Sequence, residues 1–89
     1  MPMTQVGISG TSTLLIGSDS GRYQLILRNI GSSTGYIGSL NVVPDANNAS
    51  GGYPIYAGEI MYFHDYRGAV YGTCTTGSVI RIAVLRGVL

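Results

Sequence analysis

The sequence contains no lysine and no tryptophan, a single cysteine, and few charges of either sign. Charged residues make up 10% of the 89 residues, against about 25% in an ordinary soluble domain. The hydrophobic fraction is nevertheless 45%. A small domain cannot bury that much apolar surface within itself. We therefore expect part of its exterior to be covered by copies of the chain or by a larger assembly.

Other absences exclude whole classes of protein. The longest apolar runs, such as Leu14–Ile16 and Ile82–Leu85, fall far below the roughly 18 residues of a membrane-spanning helix. The start, MPMTQVG, lacks the basic and apolar regions of a signal peptide. The net charge of +1 comes without a basic cluster, which argues against binding to nucleic acid. Cys74 alone permits neither an intrachain disulfide nor a cysteine zinc cluster.

What the chain does contain in quantity is glycine, at 14 residues. The glycines, prolines and turn clusters interrupt the sequence at the spacing of short strands joined by tight turns. This pattern predicts an all-β fold, a compact β-sandwich or Greek-key barrel of seven to eight short strands without significant helix. We expect strands near 4–9, 12–17, 22–29, 34–43, 58–65, 69–73 and 78–86, with a short extended piece at YPIY that Pro54 keeps off a central position.

The chain is expected to form one domain over residues 1–89, with residues 1–10 as a candidate extended arm. In RYQLILR, residues Tyr23, Leu25 and Leu27 share one face, and the opposite face carries Ile26 between polar residues. Since the second face is not fully polar, we expect the sheets to be covered on both sides.

The candidate catalytic groups do not form a convincing constellation. His64 and Asp65 are neighbours, so on a strand they point to opposite faces. Glu59 and Asp65 share a face but are separated by about 20 Å of strand, which exceeds the spacing of a glycosidase carboxylate pair. The sequence therefore predicts no catalytic site and no cofactor, and the chain is not expected to be an enzyme.

Two further groups of residues are weak candidates, one for metal binding and one for a reactive thiol. Asp45, Asn47 and Asn48 offer oxygen ligands in the polar loop 44–52, but without the alternating carboxylates and distal glutamate of an EF-hand. Asn48 also begins a glycosylation sequon, which we take as coincidental in a chain without a secretion signal. Cys74 is interpreted as a small buried side chain.

The stretch from Gly51 to Thr73 concentrates five of the seven tyrosines. Tyrosine combines a large rigid apolar body with a hydrogen-bonding tip, which suits protein interfaces and also sugar rings. Arginine in place of lysine also favours interfaces, because its planar group pairs bidentately and stacks on rings. Some of these tyrosines are expected to fill the edge of the core, and Tyr62 and Tyr66 to share a strand face. The predicted interface residues are Tyr53, Tyr56, Tyr62, Tyr66, Arg67 and Tyr71.

The order of these elements resembles that of small all-β virion structural proteins of tailed bacteriophages. In that pattern a strand ends in Asn-x-Gly-Ser, the next begins with an aromatic residue followed by Ile-Gly, and a Gly-x-Pro-hydrophobic turn follows. A Gly-Glu pair then opens a strand, and a Val/Ile-rich strand closes the chain. The resemblance covers about two thirds of the chain and leaves out the first twenty residues. The matching positions are Asn29, Gly31, Ser32, Tyr36, Ile37, Gly38, Gly52, Pro54, Ile55, Gly58, Glu59, Tyr71, Gly72, Gly77 and Val79 to Val84.

The resemblance implies a capsid decoration (cement) protein, a head fibre or a small tail module, made in the bacterial cytoplasm and carried on the virion. It implies two partners, the major capsid protein and further copies of the chain, and a homotrimer is expected because decoration proteins often occupy threefold positions. The competing hypothesis is a glycan-binding module of a phage fibre or tail. Tyrosines in a shallow groove beside Asp or Asn would favour sugar, whereas tyrosines buried between copies would favour a cement protein.

Overall fold

The computed structural model describes residues 3–18, 22–45, 51–64, 66–75 and 79–88. These residues form eight β-strands and no helix. The strands are β1 (Met3–Ile8), β2 (Thr13–Ile16), β3 (Arg22–Asn29), β4 (Gly35–Gly38), β5 (Tyr53–Ile55), β6 (Ile60–His64), β7 (Val70–Cys74) and β8 (Ile80–Val88).

The strands form two four-stranded antiparallel sheets, in the orders β1-β8-β3-β6 and β2-β7-β4-β5. The pairs β1·β8, β2·β7, β3·β6 and β4·β5 are those of one long antiparallel ribbon folded at its middle. The remaining pairs, β3·β8 and β4·β7, roll that ribbon into two sheets. This order is the jelly-roll form of the β-sandwich, which contains two Greek keys. The predicted all-β sandwich is thus confirmed.

Alternation of side chains explains how the two sheets meet. On β3, Leu25 and Leu27 are fully buried, whereas Arg28 is exposed. On β8, Ile80, Ile82 and Val84 are buried in the same way. Opposite residues of an antiparallel pair lie on the same face of the sheet. The inward faces of the two sheets therefore combine into one core.

The predicted strand positions agree with the structure except at β4, where the prediction of 34–43 is too long. The strand ends at Gly38, and the chain turns through Asn41, whose φ of 67° lies in the left-handed region that asparagine tolerates better than most residues. Val42 then packs back onto Gly38, where an added Cβ would come within 2.8 Å of its side chain. Pro54 lies on β5, an edge strand, as predicted.

Residues 3–8, within the segment considered as an extended arm, form β1 and pair with β8 along the whole strand. Two connections join the sheets at one end of the sandwich, where β1, β3, β5 and β7 end. Near β1, the carbonyl of Ser9 accepts hydrogen bonds from the Thr73 Oγ1 and the Cys74 amide, both at 2.9 Å. We call this end of the sandwich the Asn29 end, after the second connection.

Asn29 is a buried polar residue at the last position of β3. Its Nδ2 donates to the carbonyls of Ser33, at 2.8 Å, and of Ile55, at 2.9 Å. Its Oδ1 accepts from the Gly31 amide at 2.9 Å. Because Ile55 lies on β5 of the other sheet, this one amide links both sheets and also closes the turn after β3. Gly31 has to be glycine here, since an added Cβ would lie 2.5 Å from Cβ of Ile80.

Replacing Asn29 by leucine, N29L, should lower the free energy of unfolding by about 3 kcal/mol or more. The reason is that a side chain of similar size would leave buried backbone groups without partners, at about 1–3 kcal/mol each. Chemical denaturation measures this loss. The matched control is R28Q on the exposed face of the same strand, which should stay within about 0.5 kcal/mol of the wild type. Equal effects of the two substitutions would contradict the role given to Asn29.

Candidate functional site

The side of the sandwich formed by β5 and β6 differs from the rest because its two edge strands are unequal in length. β6 forms the edge of one sheet and has five residues, whereas β5 forms the edge of the other and has three. Met61 and Phe63 point inward from β6 and are only partly buried. The short β5 therefore leaves the inner face of β6 partly open at this side.

An open pocket of about 580 Å³ occupies this place, at the end of the sandwich opposite Asn29. It collects side chains from both sheets and from the connection between β6 and β7. Its lining consists of apolar residues, tyrosines, a glycine and one serine: Ile37, Gly38, Ser39, Tyr53, Met61, Tyr62, Phe63, Tyr66 and Val70. We call this site the tyrosine pocket.

The ring of Tyr66 is held in position by three contacts. Its hydroxyl donates to the carbonyl of Ala69 at 3.1 Å. Its ring lies 5.8 Å from that of Phe63, centroid to centroid, tilted by 39°, within the range of favourable aromatic pairs. Gly68 lies under the ring, since an added Cβ there would be 2.6 Å from the hydroxyl oxygen. The pocket therefore has at least one ring held in a defined position.

The chemistry of the lining is that of a neutral, largely apolar contact site. None of the nine lining residues carries a charge or a side-chain amide. The polar groups available are the phenol hydroxyls and the hydroxyl of Ser39. A charged ligand group would lose its water here without gaining a charged partner, which is costly. The pocket is better suited to an apolar or aromatic group.

Three of the six predicted interface residues border the pocket, Tyr53, Tyr62 and Tyr66, which are 70%, 61% and 43% exposed. The side chain of Tyr62 lies on the outer face of β6, opposite Ile26, so only the rings of Tyr53 and Tyr66 belong to the inner side. Tyr56 lies at the Asn29 end, after β5, and Tyr71 lies on the outer face of the second sheet. The predicted interface residues thus do not form one continuous patch.

Arg67 is exposed and follows Tyr66 without lining the pocket. The expectation that Tyr62 and Tyr66 share a strand face was wrong, because β6 ends at His64 and Tyr66 lies beyond it. Tyr66 reaches the pocket through the connection to β7 instead.

Sequence reasoning missed the apolar part of the pocket, above all Phe63 and Met61. Alternation within IMYFH does place these two residues on the inward face. An inward apolar residue on a strand normally signals core. Only the shortness of β5, a property of the folded chain, turns part of this face into a pocket.

The candidate catalytic and metal-binding residues do not assemble into a site. Among the residues that the structure describes, no group of three or more His, Cys, Asp or Glu side chains is placed to hold a metal ion. The carboxylate of Glu59 accepts a hydrogen bond from the Tyr56 amide at 3.0 Å and so closes the turn between β5 and β6. Asp65, Asn47 and Asn48 lie outside the described residues. Within the described part of the chain, no helix is long and apolar enough to cross a membrane.

Cys74 is fully buried, as predicted. Desolvation by burial raises the pKa of its thiol, and a backbone hydrogen bond partly opposes this shift. The Sγ atom lies 3.6 Å from the carbonyl oxygen of Ile8 and donates to it. A protonated, buried thiol of this kind is a poor nucleophile, and the residue contributes to the contact between the sheets.

Comparisons of the chain with protein-family models, curated proteins and solved structures gave no significant match.

Replacing Gly68 by alanine, G68A, should displace the Tyr66 ring and break its contact with Phe63. The added methyl group would occupy the place of the phenol hydroxyl, which lies at the far end of a side chain that can rotate. We expect a stability loss of about 0.5–1.5 kcal/mol, the cost of an off-rotamer side chain. Nuclear Overhauser effects between the two rings measure the contact. G7A is the control, since a Cβ on Gly7 meets nothing within 4 Å, and unchanged ring contacts in G68A would refute this account of Tyr66.

Proposed function

We propose that the chain is a structural protein of a bacteriophage virion, a capsid decoration protein that binds the outer surface of the head and stabilises it through protein contacts. The observation that carries the proposal is the tyrosine pocket, a neutral apolar site with exposed rings held on a rigid sandwich. In this proposal its partners are the major capsid protein and further copies of the chain. It is made in the bacterial cytoplasm and functions on the particle.

The energetics of protein interfaces support this use of the pocket. Buried aromatic anchors near the centre of an interface carry much of its binding energy, often 2 kcal/mol or more each. Tyr53 and Tyr66 stand exposed beside an apolar depression. An apolar side chain inserted there would bury both itself and the rings. The pocket thus offers a central contact of the kind that stable interfaces use.

The fold supports the proposal only in a general way. Jelly rolls occur in viral capsid proteins and also in lectin domains, and a fold does not fix a function. The sequence resemblance to phage virion proteins points to the first of these groups.

The second candidate function is a glycan-binding module of a phage fibre or tail, favoured by the exposure of two tyrosines, Tyr53 and Tyr66, at one depression. Sugar recognition also needs polar groups that fix the orientation of the hydroxyls. No Asp or Asn is among the nine lining residues. The lining therefore fits an apolar protein side chain better than a sugar, and we place the glycan second.

Self-association is part of the proposal because apolar residues continue onto the outer face of the first sheet. Leu85, Ile26 and Tyr62 lie side by side across β8, β3 and β6, and Tyr62 is the most exposed of them. A stable interface buries about 800 Å² on each partner. Two such interfaces in a ring would cover roughly a third of the 4996 Å² of accessible surface. Apolar surface that the chain has too few charged residues to keep soluble would then be shielded from water.

Single alanine substitutions at Tyr53 and Tyr66 should weaken binding to capsids by about 30-fold or more, which corresponds to 2 kcal/mol. The assay uses particles from the genome that encodes the chain, stripped of this protein and titrated with purified variants. The melting temperature should change little for Tyr53→Ala, because this exposed ring leaves no core cavity. For Tyr66→Ala it should fall by several degrees without unfolding the chain, because the contacts with Ala69 and Phe63 are lost.

Tyr56→Ala is the matched control, an exposed tyrosine at the opposite end of the sandwich. If it weakens binding as strongly as the pocket variants, the wider set of tyrosines forms the interface and the pocket is not its centre. If weak binding always accompanies unfolding, the rings belong to the core. If the variants lose polysaccharide binding while capsid binding persists, the glycan function is correct. Failure of the wild-type chain to bind the particles would refute the decoration function.

In solution the chain should form an oligomer at micromolar concentrations, and a trimer is expected from the resemblance to decoration proteins. The physical reason is the apolar row on the outer face of the first sheet. Light scattering measures the mass. A monomer mass across this range would refute self-association, whereas a dimer or pentamer would refute only the number.

A further inference from the structure

The outer side of β6 presents backbone groups that no described strand pairs with. The directions follow from two hydrogen bonds at the end of β3. The backbone N–H of Asn29 donates to the carbonyl of Glu59, on the β6 side. The backbone N–H of Ile30 donates to the carbonyl of Arg81, on the β8 side. In an antiparallel ladder successive residues bond to opposite sides. In the register of β3 and β6, Met61 and Phe63 are therefore the residues of β6 that bond to β3. The N–H and C=O groups of Ile60, Tyr62 and His64 point away from β3, to the free edge.

The β6 edge also lacks the features that block strand pairing. Exposed edges are commonly protected by proline, by bulges or by charged side chains. β5 carries Pro54, and β2 has a shift in its register. β6 has neither, and its exposed residues include Ile60 and Tyr62. β1 is also free along one side, but it exposes the polar Thr4 and Gln5.

The free edge of β6 and the tyrosine pocket are adjacent. Met61 and Phe63 line the pocket from the inner side of β6. A strand added to β6 would direct every second side chain to the same inner side. Those side chains would enter the space between the sheets that the short β5 leaves open. The edge can therefore supply main-chain hydrogen bonds while the pocket selects the side chain, the two parts of recognition by strand addition.

We propose that β6 and the tyrosine pocket bind an extended segment of a partner protein, which adds as a strand to β6 and inserts a large apolar side chain into the pocket. The inference rests on the proposed function, since it specifies how the pocket binds protein. The partner segment is expected to be extended, with large apolar residues at alternate positions and no acidic residue facing Glu59.

Area and charge favour such a segment over a second copy of β6. Two five-residue strands paired edge to edge share a footprint of roughly 17 × 10 Å, well below the 800 Å² per partner of a stable interface. Glu59 and Asp65 directly precede and follow β6 in the sequence. If two β6 strands paired antiparallel in full overlap about a twofold axis, Glu59 of one copy would oppose the sequence position after His64 of the other, which is Asp65. Like charges in opposite positions are destabilising. A separate segment avoids the repulsion between these acids, and it adds a side chain in the tyrosine pocket to the contacts along the short edge.

The test begins with a displayed library of random ten-residue peptides, selected on the purified full chain. We expect the enriched peptides to carry large apolar residues at alternate positions. The best of them is then made synthetically with N-methyl groups on one or the other alternate set of residues. Only every second N–H of an added strand points to β6, so one methylated set should lose at least about tenfold in affinity and the other should bind like the parent.

Substitutions on the protein test the same hydrogen bonds from the other side. Tyr62→Pro removes an N–H that points to the free edge and should weaken peptide binding by at least about tenfold. Proline is tolerated at such a position because the bonds to β3 are kept. Tyr62→Ala, which loses the ring but keeps the N–H, separates the two effects and should weaken binding less. If the proline variant does not fold, the methylated peptides still decide the question.

Amide hydrogen exchange of Ile60, Tyr62 and His64 identifies the occupant. Slower exchange on addition of the peptide supports the proposal, whereas protection that rises with protein concentration alone assigns the edge to a second copy and overturns it. No enriched peptides, or equal effects of both methylated sets, would also overturn it. Stripped particles that bind Y62P normally but not Tyr53→Ala would refute strand addition and keep the decoration function. Particles that bind neither those variants nor the wild type would refute the decoration function itself.

Discussion

The hydrogen bonds of Asn29 are the interactions on which the sandwich depends, because they join the two sheets from within the core. Its Nδ2 reaches Ile55 at the end of β5, its backbone N–H bonds to Glu59 at 3.1 Å, and its carbonyl accepts from Gly58 at 2.8 Å. One residue on β3 thus holds the end of one edge strand and the approach to the other. Gly58, with a φ of 81°, allows the chain to turn tightly between them. The spacing of β5 and β6 at this end of the sandwich is therefore set from inside the core.

This arrangement places the buried polar connections and the proposed contact site at opposite ends of the sandwich. The polar connections at Asn29 and at Ser9 lie at one end of the sandwich, where backbone groups are satisfied by buried partners. The tyrosine pocket lies towards the other end, where Tyr53 and Tyr66 are exposed. A rigid support is what a contact surface needs, because side chains that are already ordered lose less entropy on binding.

Much of the fold could be predicted from the sequence because it is local. Glycine spacing and the alternation in RYQLILR gave strands close to those observed, and the ring of Pro54 indicated an edge position. The pairing of β1 with β8 could not be predicted, since nothing in either strand specifies a partner so distant in the chain. The pocket could not be predicted for the same reason, because its position depends on pairing between strands that are distant in the sequence. The chemistry of tyrosine was enough to predict Tyr53, Tyr62 and Tyr66 as contact residues. Phe63, in contrast, lines the pocket only because β5 is short.

The nested order of strand pairs has a consequence for the time at which the protein can fold. β1 has a single neighbour in its sheet, β8, which is synthesised after all the other strands. A ribosome-bound chain would hold β1 without its pairing partner until β8 has been synthesised. Pairing between strands so far apart in sequence is also slow, because a long loop has to close before any contact is gained. The sandwich is therefore completed only after β8 has left the ribosome, and until then its unpaired strands are open to chaperones, to neighbouring chains and to aggregation.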